Sequence, residues 1–483
     1  MNESTASADA TRAMFASAIS DMYQTEAPQY RAMKALVVEV NRQTLARDAP
    51  LERRLLEGGE LARLDVERHG AIRVGTAEEL STLRRLFAIM GMAPVGYYDL
   101  SIAGIPVHST AFRPIGEAAL RASPFRIFTS LLRLDLISDA EAREIATKVL
   151  ARRDIFTPRC RELIDLYERR GFDDDEARAF AVEAAKIFRW NGRATVSSAV
   201  YGTLHATHPL LADIVCFKGP HINHLTLHAL DIDAAHHAMA AREMSPKAII
   251  EGPPRRRCPI LLRQTSFRAR PEPVEFIEED GRRVTGAHAA RFGEIEQRGA
   301  ALTAKGRALY DRLLAEAQAA VPLATDGANA RAFNEELARR FAAFPDDGDA
   351  LRREKLAFFR YSADPRASAG ESSSSVSLED LLRSGVLRAE PIAYEDFLPV
   401  SAAGIFRSNL GEQGAEERIE RADQSAFEAA LGAPVLNELA LYEEAETRSL
   451  EASLQALGVD RAASVQPSKT GAAPIGAAET SHN

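Results

Sequence analysis

Cysteine is scarce. The 483 residues hold three, Cys160, Cys216 and Cys258, far apart and with no CxxC pair. That excludes a disulfide framework and fits a reducing cytoplasm. No apolar run reaches the ~18 residues that a membrane span needs. Met1 to Ala10 has no basic start ahead of an apolar stretch, so a secretory leader is not expected. Basic charge is not in excess either. The net charge is −9, from 60 Lys+Arg and 69 Asp+Glu, which speaks against a phosphate-backbone binder and against nucleic acid as a partner. HExxH, a Walker loop, a nucleophile elbow and GxGxxG are all missing. With 46% hydrophobic residues, the chain is nonetheless an ordinary globular one.

What it does have is histidine: eleven in all, three of them crowded together as His221, His224 and His228. The first sixty residues carry apolar side chains at helical spacing on either side of Pro28. His69 to Gly75 reads as a strand, followed by Thr76 as a helix N-cap and Glu79 as its capping-box partner. Two further strands are expected around Val95–Ile102 and Ile105–Phe112. Residues 115–195 read as mostly helical. A short apolar run, Asp213–Phe217, precedes a strand from His224. A helix begins after Asp231 or Asp233, and strands follow at Ile260–Arg268, Pro273–Ile277 and Phe292–Arg298. Residues 302–360 read as helical again, Arg366–Ser375 as a Ser-rich loop.

His69 and His224 each sit on a strand about eight residues ahead of a helix, which reads as one strand–helix–strands unit used twice. Many α+β chains show that succession, so the pattern alone leaves coincidence open. On the strand at 292–298, alternation puts Glu294, Glu296 and Arg298 on one face. Two imidazoles and a carboxylate with positions left open form the metal site of non-haem Fe(II) oxygenases. Each residue also has a plainer reading. A strand histidine is more often a hydrogen-bonding core residue, and the Glu/Arg face suits a solvated edge strand. Were 221–228 a helix, His221, His224 and His228 would suit a zinc site of a metal-dependent hydrolase. A non-catalytic small-molecule-binding barrel is the reading from a different class.

Four segments carry a resemblance: His69 to Thr76, Phe217 to Thr226, Phe292 to Gly299 and Glu395 to Phe406. Together they resemble the 2-oxoadipate dioxygenase/decarboxylase (2-hydroxyglutarate synthase) family of the vicinal-oxygen-chelate superfamily, over roughly residues 10 to 455. The resemblance implies an α+β fold, with two βαβββ units forming a curved sheet or barrel around one metal and large helical insertions. Residues 1–455 are then one catalytic body. Its β-core spans about 62–113, 212–300 and 390–412, its helical insertions about 115–195 and 302–385, and 456–483 is a disordered tail. The resemblance further implies Fe(II) held by His69, His224 and Glu294, the last chosen over Glu296 because it opens a Glu-x-x-Gln-Arg run. Arg73 is implied as the substrate arginine and Val400 as a pocket wall. Arg73 follows His69 by four residues and so faces the same side of its strand, and a guanidinium suits a far carboxylate. The implied reaction takes a 2-oxo diacid, 2-oxoadipate, and O2 to (R)-2-hydroxyglutarate and CO2 in lysine catabolism.

Overall fold

A computed structural model of the chain describes residues 6–57, 59–324, 326–364, 377–398 and 423–459. Its centre is a curled seven-stranded sheet in the order β2-β3-β4-β1-β5-β9-β6. The strands are β1 (His69–Val74), β2 (Met92–Asp99), β3 (Val107–Pro114), β4 (Arg126–Leu132), β5 (His224–His228), β6 (Leu262–Ser266) and β9 (Phe292–Arg298). A separate hairpin, β7 (Glu272–Ile277) with β8 (Arg283–His288), is inserted between β6 and β9.

The doubled pattern is real. In the first unit β1 leads through the helix Ala77–Ile89 to β2, β3 and β4, and β4 returns to lie parallel beside β1. In the second, β5 leads through the helix Ile232–Ala241 to residues 246–251, which touch β6 through two antiparallel bridges. β6, the inserted hairpin and β9 follow, and β9 returns parallel to β5. The two units join where β1 pairs antiparallel with β5, His69 opposite Thr226 and Ala71 opposite His224. Equating His69 with His224 maps that register onto itself. A local two-fold therefore passes between Gly70 and Leu225, and it relates the two histidines.

The strand β4 is a correction, because it lies inside the stretch 115–195 expected to be helical. All seven of its residues are buried. A strand covered on both faces loses the alternation by which strands are read, and a short apolar run is then ambiguous. The run from Asp213 is likewise not a strand. It belongs to a helix, Pro209–Val215, buried on every side and so without an amphipathic stripe. The capping box at Thr76 is half realised: Thr76 Oγ1 accepts from Glu79 N–H, but Glu79 Oε2 accepts from Gly75 N–H instead of closing on Thr76.

Alternation sorts the sheet's side chains onto two faces. Ile72, Val74, Ile127, Leu225, Leu227 and Ile295 pack with the helices Ala8–Glu26, Pro28–Arg47 and Ala77–Ile89 in one core. The other face carries His69, Ala71 and Arg73 of β1, His224 and Thr226 of β5, and Glu294, Glu296 and Arg298 of β9. A further core joins Ile260–Leu262 and Ala300–Leu302 to the helices Ala304–Ala320, Ala330–Phe341 and Glu438–Ala456. The stretch 302–385 is not purely helical, since it holds β10 (Phe359–Ala363), which pairs with β11 (Leu387–Pro391). The expected tail also starts late, because Leu457 and Val459 are buried in this core. Its residues 460–483, the Ser-rich loop and the part of the β-core from 399 to 412 lie outside the described residues.

The ends of β5 and β9 are pinned from the helical side. Buried Tyr23 shares its hydroxyl hydrogen between Phe292 O (2.7 Å) and Asn223 O (2.9 Å), one residue from His224 and two from Glu294. Tyr23→Phe removes the donor and is expected to cost roughly 1–3 kcal/mol of stability, read as a lowered denaturant midpoint with an unchanged slope.

Candidate metal centre

Three side chains converge where β1, β5 and β9 lie side by side. Ligand atoms of His69, His224 and Glu294 all fall within 4.8 Å of one another. His69 Nε2 lies 3.1 Å and His224 Nε2 3.9 Å from Glu294 Oε1. The backbone explains the convergence. The local two-fold brings the histidines together, and the parallel register places Glu294 beside Thr226, two residues on from His224. All three are at most 3% exposed.

The donor set fits a metal. Among the described residues, neither nitrogen of His224 has a hydrogen-bond partner, and neither does Glu294 Oε2. Buried polar atoms left so cost about 1–3 kcal/mol each, a cost that a shared cation removes. Burial drives the His224 imidazolium down to about 3, leaving the neutral ring that ligates metals. Burial opposes the charge of Glu294, yet His224 and His69 beside it hold its carboxyl below the usual range. Two imidazoles and one carboxylate, with no thiolate, suit a redox-active ion with open positions.

The surroundings fix the ligands. Glu296 Oε2 lies 3.1 Å from His69 Nδ1, the nitrogen turned away from Glu294. A proton on Nδ1 would face Glu296 and leave Nε2 unprotonated for a metal; in this structure Nε2 lies 3.0 Å from Thr226 Oγ1, which itself donates to Glu294 Oε1. Arg298 grips Glu296 through Nε (2.6 Å) and Nη2 (3.0 Å), and burial notwithstanding it keeps that carboxyl well below the usual range. Arg298 Nη1 also donates to Tyr394 O and Asp396 O. The latter contacts hold the segment that carries Phe397, whose ring meets His69 edge-on at 4.7 Å. Phe292 stacks on His224 at 4.6 Å. Thus one wall of the centre is aromatic and dry.

Arg73 lies on the same face, two pairs further along β1, and is 4% exposed rather than a surface residue. Its Nη1 donates to Asp213 Oδ2 at 2.5 Å. Asp213, His221 and His288 form a second buried group of close ligand atoms. The alternative cluster of His221, His224 and His228 does not form. Residues 224–228 are a strand, so the three do not share a helix face. His221 turns to Asp213, His224 to Glu294, and His228 Nδ1 to Arg68 Nη2 at 3.0 Å. Val400 lies outside the described residues.

Sequence reasoning saw Glu296 and Arg298 on the right face but gave them no task. The signal was the period-two row itself, Glu294-x-Glu296-x-Arg298. Asp213 had a fainter signal, as an acid within an apolar run, and His288 had none. Replacing His69, His224 or Glu294 by Ala is expected to abolish bound metal. Glu296→Gln is expected to keep it with affinity lowered about 10–100-fold, as elemental analysis and metal titration of the purified variants will show.

The family model described as 2-oxoadipate dioxygenase/decarboxylase matches residues 15–409. Proteins of that name from Pseudomonas putida and Escherichia coli are 53% and 52% identical. The first alignment covers 94% of this chain and 98% of the relative, the second 92% and 97%. The crystal structure of the Pseudomonas putida hydroxyglutarate synthase in complex with 2-oxoadipate superimposes with a TM-score of 0.87 at 52% identity, over 95% of this chain and 100% of that one. On its fold, its candidate metal centre and these matches, the chain belongs to the 2-oxoadipate dioxygenase/decarboxylase family.

Proposed function

We propose that the protein is an Fe(II)-dependent dioxygenase that converts 2-oxoadipate and O2 to (R)-2-hydroxyglutarate and CO2, in the cytoplasm and as a step of lysine catabolism. The convergence of His69, His224 and Glu294 carries this reading, in a chain about half identical to relatives named for that reaction. No helix among the described residues is long and apolar enough to cross a membrane.

His69, His224 and Glu294 hold the iron. Fe(II) supplies one-electron chemistry toward O2 and a template for a 2-oxo acid at the positions that three protein ligands leave open. The chain's own residues do the rest. Glu296 keeps the His69 ring in one orientation and one tautomer, and Arg298 keeps Glu296 charged. Phe397 and Phe292 shield the imidazoles from water, which strengthens every electrostatic contact in the site. Arg73 takes the far carboxylate of the six-carbon diacid, one strand face away from the metal, with two N–H groups matched to two oxygens. Val400 closes the pocket beside the chain of the substrate.

The reaction balances without a further reductant. One oxygen atom of O2 enters the new carboxylate at the former keto carbon and the other becomes the new hydroxyl, while CO2 leaves with the two oxygens of the old C1 carboxylate, so the oxidised carbon skeleton is the source of electrons. An oxygen electrode tests this directly. With Fe(II) and 2-oxoadipate, O2 uptake, CO2 release and 2-hydroxyglutarate are expected in equal amounts, and the zinc-loaded protein is expected to be inert. Turnover without O2, or no O2 uptake with any 2-oxo diacid, overturns the reading.

A further inference from the structure

The partner of Arg73 is itself held from a second side. Asp213 Oδ2 accepts from Arg73, while Oδ1 lies 2.9 Å from His288 Nε2 and 3.2 Å from His221 Nε2. Tyr201 Oη lies 3.0 Å from His288 Nδ1. An ionised carboxylate only accepts, so His288 Nε2 carries the hydrogen and Nδ1 takes that of Tyr201. The two rings are locked in turn. Trp190 meets His221 edge-on at 4.8 Å and stacks parallel to His288 at 6.2 Å, and Phe217 packs on His288 at 4.8 Å. Arg73, Asp213, His221 and His288 are all at most 4% exposed. Burial opposes the charge of Asp213, but Arg73 and the two histidines overcome it and hold its carboxyl well below the usual range.

The topology makes this group costly to assemble. Arg73 comes from β1, Asp213 from the helix Pro209–Val215, His221 from the turn before β5, and His288 from the end of the inserted β7–β8 hairpin. Four separate parts of the chain are spent on one guanidinium. The three ligand atoms of Asp213, His221 and His288 are close enough for a metal of their own. Two of the contacts are already engaged, since His288 presents an N–H to the carboxylate and the Arg73 cation holds its other oxygen, while neither nitrogen of His221 has a hydrogen-bond partner among the described residues.

We propose that Asp213, fixed by His288, is a positioning residue for Arg73 and thereby a determinant of selectivity for 2-oxo acids that end in a second carboxylate. This rests on the reading that Arg73 meets the far carboxylate. An arginine carries a large rotamer entropy. Left to itself, it loses that freedom when substrate binds, and affinity falls accordingly. Tied to Asp213, its guanidinium is ordered before the substrate arrives.

The test compares 2-oxoadipate with 2-oxohexanoate, which has the same chain length and no far carboxylate. The readout is the ratio of their kcat/KM values in the Fe(II) enzyme. Asp213→Asn keeps the shape and removes the charge. It is expected to lower the ratio about tenfold, through the KM for 2-oxoadipate, with kcat little changed. Arg73→Lys is expected to lower the ratio at least as far, and the double variant Arg73→Lys/Asp213→Asn no further than Arg73→Lys alone, because coupled residues do not add. His288→Gln is expected to lower the ratio by a smaller factor, and it serves if Asp213→Asn does not fold. If Arg73→Lys lowers the ratio and neither Asp213→Asn nor His288→Gln does, the positioning role is wrong while Arg73 keeps its place. If Arg73→Lys leaves the ratio unchanged, the reading of Arg73 itself fails, and the inference with it. Equal loss of kcat on both substrates marks a merely structural role. A second equivalent of bound metal that Asp213→Asn removes would also overturn the proposal.

Discussion

The molecule hangs on a short seam, the antiparallel contact of β1 with β5. It spans three residue pairs, His69–Thr226, Gly70–Leu225 and Ala71–His224. Within each unit the strands would pair without it. Between units, this seam alone continues the sheet, and it sets the distance between the two imidazoles. A register slip by one residue would turn one histidine to the helical face. Gly70 sits at the centre of the seam and is crowded there: a Cβ would stand 2.4 Å from Ile222 Cδ1 and 3.3 Å from His224 O. Its missing side chain lets the strand that carries His69 lie close against the one that carries His224.

The price of the arrangement is a polar interior. The face that carries the candidate metal centre buries Arg73, Arg113, Arg126 and Arg298, each within ion-pair distance of an acid: Asp213, Asp396, Glu395 and Glu296. Replacing such pairs by apolar residues is often neutral or stabilising, so they are not there for stability alone. Each has a structural consequence near the centre. Glu296 orients His69. Glu395 and Asp396 immediately precede Phe397, and Tyr442 donates to Asp396 Oδ2 at 2.6 Å. The ion pairs thereby tether the Phe397 segment to β3, β4 and β9.

How much of this was legible follows from burial. His69, His224 and Glu294 stood out because polar residues on strands leading into helices are unusual, and the family resemblance then chose among them. The alternation at 224–228 was enough to set strand against helix, which disposes of a zinc cluster there. By contrast, β4 and the helix Pro209–Val215 are buried on all sides, so no period marks them. Asp213 was unreadable for a related reason. Its partners Arg73, His221 and His288 are 140, 8 and 75 residues away, and only the tertiary fold brings them together. The insertion that delivers His288 also obscured the second unit, by separating β6 from β9.

The two units have diverged at the positions that matter. The parallel registers are equivalent: β1 pairs Ala71 with Phe128 and Arg73 with Ser130, while β5 pairs Thr226 with Glu294 and His228 with Glu296. The local two-fold thus sets Phe128 against Glu294, Ser130 against Glu296 and Arg73 against His228. Had both halves kept a glutamate, two histidines and two carboxylates would close around one ion, as in a structural site. Phe128 stands in the first unit where the second has Glu294, and Ser130 where it has Glu296, so one such carboxylate and not two lies beside the histidines. The unit without it is the unit that carries Arg73. The second unit thus contributes His224, Glu294 and Glu296 to the shared face, and the first contributes His69, Phe128 and Arg73. A symmetric duplication would crowd the candidate centre with a second pair of acids; the asymmetry puts an aromatic ring in the place of one.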